Sequence, residues 1–154
     1  VKKPEPEPGL VIRYDYLWRD EAERGRRDGS KDRPCAIVVA RRDANGGEPL
    51  VLLAPITHSP PRNTESAIEI PPRVKQHLGL DEARSWIVTG ELNSVAWSDA
   101  GIVPVNRTQW AYGFLPPKLA KMLVERIRMQ LSIRKLGIID RMQTETRSGR
   151  EPRR

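Results

Sequence analysis

Thr57, His58 and Ser59 come directly after the apolar, β-prone run Leu50 to Ala54 and the dipeptide Pro55-Ile56, and Pro60 and Pro61 stand immediately beyond them. Proline brings no N–H to a ladder, so a strand is expected to end here. Three side chains able to handle protons at one strand end are what a rigid scaffold presents for chemistry. An imidazole takes and returns a proton near neutral pH, which makes His58 a candidate general base. The competing reading is a structural or solvent-facing histidine. Arg33 is the second candidate. It stands between a polar loop and Pro34, which opens the apolar run CAIVVARR, so its stem is anchored by a buried strand. A guanidinium fixed in that way suits phosphate, because its planar fork donates paired hydrogen bonds.

Other chemistries are poorly served. No HExxH, GxGxxG, Walker loop or EF-hand loop occurs. The only histidines, His58 and His77, are 19 residues apart, and His77 in VKQHLG reads as a surface or partly packed side chain. No metal site and no cofactor are expected. Cys35 is the single cysteine, which excludes an internal disulfide and fits a reducing compartment, so the expected location is the cytoplasm. No run of 18 apolar residues offers a membrane span, and the opening VKKPEPEPGL has no apolar signal-like core.

The elements that must position these residues can be read from the pattern. At 154 residues one domain is expected. Residues 1–8 form a stiff, extended leader of alternating proline and charge. LVIRYDYLW alternates, with Ile12, Tyr14, Tyr16 and Trp18 on one side and Arg13 and Asp15 on the other, as in a half-buried strand. RDEAERGRRDGSKD is a charged loop with nothing to bury. CAIVVARR and LVLLAPIT are strands joined by a hairpin around Asn45-Gly46-Gly47. AIEIP is a short strand, PRVKQHLGL a helical turn capped by Gly79, SWIVTGEL and SVAW two further strands, and PVNRTQWAYGFLP an edge strand. A helix is expected from Pro117 to Gly137, with Leu119, Leu123, Ile127 and Leu131 as its apolar stripe. Short strands plus one C-terminal helix predict a mainly β fold, a small curled antiparallel barrel over residues 9–138.

Charge points toward phosphate polymers or acidic proteins. The chain has 27 basic and 20 acidic side chains, net +7, with a pI near 10.0. A solvated charged surface explains the same numbers. Residues 139–154 are rich in arginine, nearly free of apolar side chains, and expected to be disordered.

Taken together, PGLVIRYDYLW, a charged loop, KDRPCAIVVA and VLLAPITHS resemble the layout of the MazF/PemK-like toxins of bacterial toxin–antitoxin pairs. The resemblance rests on Arg33-Pro34 and Pro55-Ile56-Thr57. It continues through the EIP strand, TGELNSVAW and the C-terminal helix, over roughly residues 8 to 135. It implies an SH3-like barrel that forms a homodimer, cuts single-stranded RNA without a metal, and is neutralised by an acidic, partly disordered antitoxin. In such an enzyme the neighbouring 2′-hydroxyl is the nucleophile, so the protein must hold the phosphate in line, stabilise its charge and move protons. The resemblance assigns Arg33 and Thr57 to the phosphate. Leu10 stands where the family has an acidic residue, and Asp28 and Ser30 are nearest to its loop glutamate. Its other acidic position falls on Gly90 or Glu91. The general base therefore stays open between His58, Glu91 and Asp28.

RNA also needs surfaces for its bases and flanking phosphates. Trp18, at the lip of the charged loop, is the expected partly exposed aromatic. Lys31, Arg24, Arg26 and Arg27 are candidates for the phosphates, and Ser59 adds a hydroxyl beside Thr57 and His58. A noncatalytic module that binds RNA or a partner protein through the same surface is the alternative.

Overall fold

The computed structural model describes residues 1–42, 45–133 and 135–142. Among these, nine strands and three α-helices occur in the order β1 (Leu10–Tyr14), α1 (Arg19–Glu23), β2 (Arg33–Arg41), β3 (Leu50–Thr57), β4 (Ala67–Glu69), α2 (Pro72–His77), β5 (Trp86–Val88), β6 (Glu91–Ala96), β7 (Ile102–Val103), β8 (Gly113–Phe114), α3 (Pro117–Ser132) and β9 (Gly137–Asp140). A single 3-10 turn, Thr64–Ser66, precedes β4. The architecture is a mixed α/β fold, a nine-stranded sheet with a C-terminal helix.

The expected closed barrel does not form. Pairing runs β4-β5-β3-β2-β1-β7, with β8 also on β1, β6 also on β3, and β9 on β6. Among the described residues no pairing returns from β7 or β8 to β4 or β9, so the sheet has open ends. The reason lies in the stretch read as one edge strand. It yields two two-residue strands along β1, too short to carry the ladder onward.

The sheet is buried on both faces, which is why its strands are nearly continuous apolar runs. Val11, Ala36, Val38, Ala54 and Ile56 face one core with Leu119, Leu123 and Ile127 of α3. Ile12, Tyr14, Cys35, Ile37 and Leu53 face a second core with Tyr16, Val95, Trp97 and Ile102. β1 is thus buried on both sides rather than half-buried, and it stops at Tyr14. The hairpin register holds from Arg41/Leu50 to Cys35/Pro55, with a bulge between Ile37 and Val39.

Three further expectations are corrected. The charged segment after Trp18 starts with α1, and it does bury a residue: the Glu21 carboxylate accepts the Trp18 N–H at 3.1 Å, fixing the first turn. α3 ends at Ser132, and its fourth buried position is Gln130, whose amide donates to the Glu65 carbonyl at 2.7 Å, while Leu131 is exposed. Gly137 does not cap that helix; it opens β9, which runs parallel to β6. The ordered fold therefore reaches past residue 138, to Arg141, which is buried. The remainder of the basic tail, 143–154, lies outside the described residues.

The leader is docked as well. The Lys3 ammonium sits 4.6 Å from the Trp97 ring centre and 5.4 Å from that of Trp110, and the Trp97 indole donates to the Pro4 carbonyl at 3.1 Å. Gly29 seats the loop beyond α1. A Cβ there would stand 2.2 Å from the Tyr16 carbonyl oxygen and 2.6 Å from an Asp15 carboxylate oxygen, so no side chain fits.

Candidate functional site

Arg33 and Thr57 lie at the same end of neighbouring antiparallel strands, each two residues beyond the Cys35/Pro55 pair. Two concavities open beside them, and Arg33, Thr57 and Ser59 line both. These three residues are the ridge between them. The first concavity, about 300 Å³, adds Lys31, Asp32, His58 and Asp81. The second, about 820 Å³, adds Trp18, Glu21, Arg24, Arg26, Arg62 and Glu91.

The ridge is built from packing on both sides. The Arg33 guanidinium lies 4.8 Å from the centre of the Trp18 ring, in cation–π range. Trp18 is half-buried and meets Tyr16 edge-on at 5.1 Å. Thr57 Oγ1 accepts the Ser59 N–H at 3.1 Å, which turns the chain out of β3 and leaves His58 exposed between them.

On the first side, His58 Nε2 lies 2.7 Å from Asp81 Oδ2, and Asp81 Oδ1 lies 2.8 Å from the Lys75 ammonium. Lys75 projects from α2 and is buried, donating also to Ser85 Oγ at 2.7 Å and to the Ala83 carbonyl. The Lys75 hydrogen bond, with the charges of His58 and Lys75, holds the Asp81 carboxyl below the usual carboxylate range against a smaller opposing effect of burial.

On the second side, Glu91 begins β6. Its Oε1 accepts the Tyr16 hydroxyl at 3.0 Å and the Arg19 N–H at 3.0 Å. Burial pushes the Glu91 carboxyl up, and those two hydrogen bonds offset it only in part. Glu21 is the opposite case. Burial pushes it up too, but Ser30, the Trp18 N–H, Arg26 and Arg33 together bring it below the ordinary value. Arg26 reaches its Oε2 at 2.8 Å.

The structure thus brings Arg33, Thr57, His58, Ser59 and Lys31 into one concavity and Arg33, Thr57, Ser59, Trp18 and Glu91 into the other. Arg27 and Asp28 line neither. The Arg27 carbonyl instead accepts Arg141 Nη2 at 3.0 Å. Sequence reading misses Asp81, Lys75, Glu21 and Arg62. Glu21 carries a signal, since an acidic residue three positions after a helix start can cap it. Asp81 carries none.

Among the described residues no group of three or more His, Cys, Asp or Glu is arranged to hold a metal ion, and no helix is long and apolar enough to cross a membrane. The fold and site together define an open, mixed α/β domain with a two-sided cleft of mixed charge around one arginine and one threonine. The sequence matches no protein-family model and no curated protein at a significant level.

Proposed function

We propose that the protein is an endoribonuclease that cleaves single-stranded RNA through attack of the 2′-hydroxyl on the adjacent phosphate, without a metal. The observation that carries this reading is the shared ridge: a guanidinium and a hydroxyl, at adjoining strand ends, facing two concavities at once. A phosphodiester laid across that ridge receives Arg33 and Thr57 hydrogen bonds on its non-bridging oxygens, where negative charge grows in the transition state. Because the nucleophile belongs to the RNA, no enzyme nucleophile is needed. Lys31 on one side and Arg24, Arg26 and Arg62 on the other offer cations to the flanking phosphates, and Trp18 offers a ring edge to a base.

In this reading the chain is a growth-inhibiting toxin of the MazF/PemK-like kind, acting as a homodimer in the cytoplasm and neutralised by an acidic antitoxin. The net charge of +7 supports an acidic partner.

The test is cleavage of a mixed single-stranded RNA pool in EDTA by the native protein and by Arg33→Ala. Cleavage leaving cyclic-phosphate ends, lost in the variant, is the expected outcome. RNA that is bound but uncut assigns a noncatalytic RNA-binding module instead. RNA that is neither bound nor cut leaves a protein-interaction domain.

A further inference from the structure

His58 and Glu91 compete for one role only if the site has one side, and it has two. His58 lines the first concavity, Glu91 the second, and Arg33, Thr57 and Ser59 stand between. Displacement at phosphorus places the attacking and leaving oxygens roughly in line, on opposite sides of the transferred group. A proton acceptor is needed on one side and a donor on the other. We propose that His58, oriented by Asp81, and Glu91 are the base and the acid of such a pair, flanking a phosphate held by Arg33 and Thr57. This rests on the ribonuclease reading and replaces its open choice of base with a division of labour.

The geometry assigns the atoms. Asp81 Oδ2 sits 2.7 Å from Nε2, so the neutral imidazole keeps its proton on Nε2 and its lone pair on Nδ1. Asp81 is a positioning residue, and it is itself fixed by Lys75, a buried ammonium with three oxygen partners. Besides Asp81, the charged groups lining the His58 side are Lys31, Arg33 and Asp32. Both hydrogen bonds to Glu91 fall on Oε1, which leaves Oε2 to carry a proton. The Tyr16 hydroxyl and the Arg19 N–H contact Glu91 directly and, with the Arg19 charge, favour its ionisation, whereas Asp20 disfavours it; Glu21 and the arginines at 24, 26, 33 and 62 line the same concavity. Burial is the largest of these influences and raises the Glu91 carboxyl above its ordinary value.

The step then balances. His58 Nδ1 takes the proton of the 2′-hydroxyl as O2′ donates its electron pair to phosphorus. The P–O5′ bond breaks with its pair going to O5′, which takes the proton from Glu91 Oε2. The products are a 2′,3′-cyclic phosphate and a 5′-hydroxyl, and exchange with water returns both side chains to their starting forms.

The experiment compares two substrates with the full-length chain. One is single-stranded RNA. The other is the set of four nucleoside 3′-(4-nitrophenyl phosphates), whose leaving group departs without protonation. Glu91→Gln keeps the acceptor for Tyr16 and Arg19. It is expected to slow RNA cleavage about 100-fold or more while changing nitrophenyl release by less than about 3-fold. His58→Gln is expected to slow both by about 100-fold or more. Asp81→Asn offers the ring a donor in place of the acceptor. It should lower kcat on both and displace the ascending limb of the pH–rate profile, with recovery in Asp81→Glu. Equal slowing of both substrates by Glu91→Gln, or undiminished cleavage by His58→Gln, overturns the pair while the ribonuclease reading stands. Wild-type protein that cleaves neither substrate overturns the ribonuclease reading and the pair with it. Long-range ¹H–¹⁵N spectra of the wild type need no variant. They should show His58 in the Nε2–H form, and the Nδ1–H form overturns its assignment as base.

Discussion

Lys75 and Arg141 are withdrawn from water to almost the same degree, 4% and 3% exposed, and each steadies one side of the cleft by a different construction. Lys75 works locally. Its partners Asp81, Ala83 and Ser85 are 6 to 10 residues away, and together they close a small loop behind His58. Arg141 works across the chain. It donates to the Asp15 carbonyl at 2.7 Å, Asn93 Oδ1 at 3.1 Å and the Arg27 carbonyl at 3.0 Å, joining β9 to β6, to the end of β1 and to the loop carrying Arg26 and Ser30. Asn93 in turn clamps both backbone groups of Leu17, at 2.9 and 2.8 Å. A lysine ammonium serves a compact cage of converging oxygens, whereas the arginine fork reaches three separate segments at once. Equal burial therefore conceals unequal reach.

The contrast predicts unequal damage. Arg141→Met removes hydrogen bonds to three segments at once, and an unfolding free energy lower by about 3–5 kcal/mol is expected from denaturant titration. Loss below about 1 kcal/mol would show that the three segments hold together without the arginine. Gly29→Ala disturbs the same loop without touching Arg141. Its Cβ must displace the Tyr16 carbonyl, at a cost of about 1–3 kcal/mol by the same titration. Lys75→Met is expected to cost about 1–3 kcal/mol, because Asp81 is exposed enough to be rehydrated. Hydrogen exchange should then quicken around residues 78–85 and stay unchanged at residues 26–30. An equal response in both segments would remove the distinction between local and long-range anchoring.

The smallest effect has opposite signs on the two sides. Glu91 has its carboxyl raised by burial, so the folded protein retains a proton that the unfolded chain has released. The stability this supplies is complete below the ordinary carboxylate value and fades as pH rises through the raised one. Asp81 has its carboxyl lowered by Lys75, so its contribution is present above the ordinary value and fades as pH falls through the lowered one. Relative to wild type, Glu91→Gln should gain stability as pH rises from the ordinary value, and Asp81→Asn should gain as pH falls below it. Denaturation midpoints across the acid range read both, and shifts of the same sign would contradict the assignment.

How much of this the sequence discloses depends on the distance over which a residue's fate is decided. β3 is legible to the residue, since its apolar run and flanking prolines are local facts. So is the meeting of Arg33 and Thr57, because one hairpin register brings both strand ends together. The end of α3 is misplaced by an i+4 stripe, which ignores the 3.6-residue turn that carries the fourth buried position to Gln130. Closure of the sheet escapes the pattern because strand length, not strand existence, decides it. Lys75 carries no signal of its own on its short turn, and only the β4–β5 excursion brings Asp81 and Ser85 around it. Arg141 is one of five arginines in a segment whose composition signals disorder, and composition cannot show that one of them turns inward.

The contact from Arg141 to the Arg27 carbonyl spans 114 residues, and that span sets a timetable for a chain made from its N-terminus. At roughly 5–20 residues per second, translation reaches Arg141 on the order of 6–23 s after Arg27. Strands β1 to β8 precede Arg141 in the chain and have had that interval in which to pair. A chain still held by the ribosome thus has β1 to β8 in hand before Arg141 can tie the segment carrying Arg26 and Ser30 to the rest of the fold.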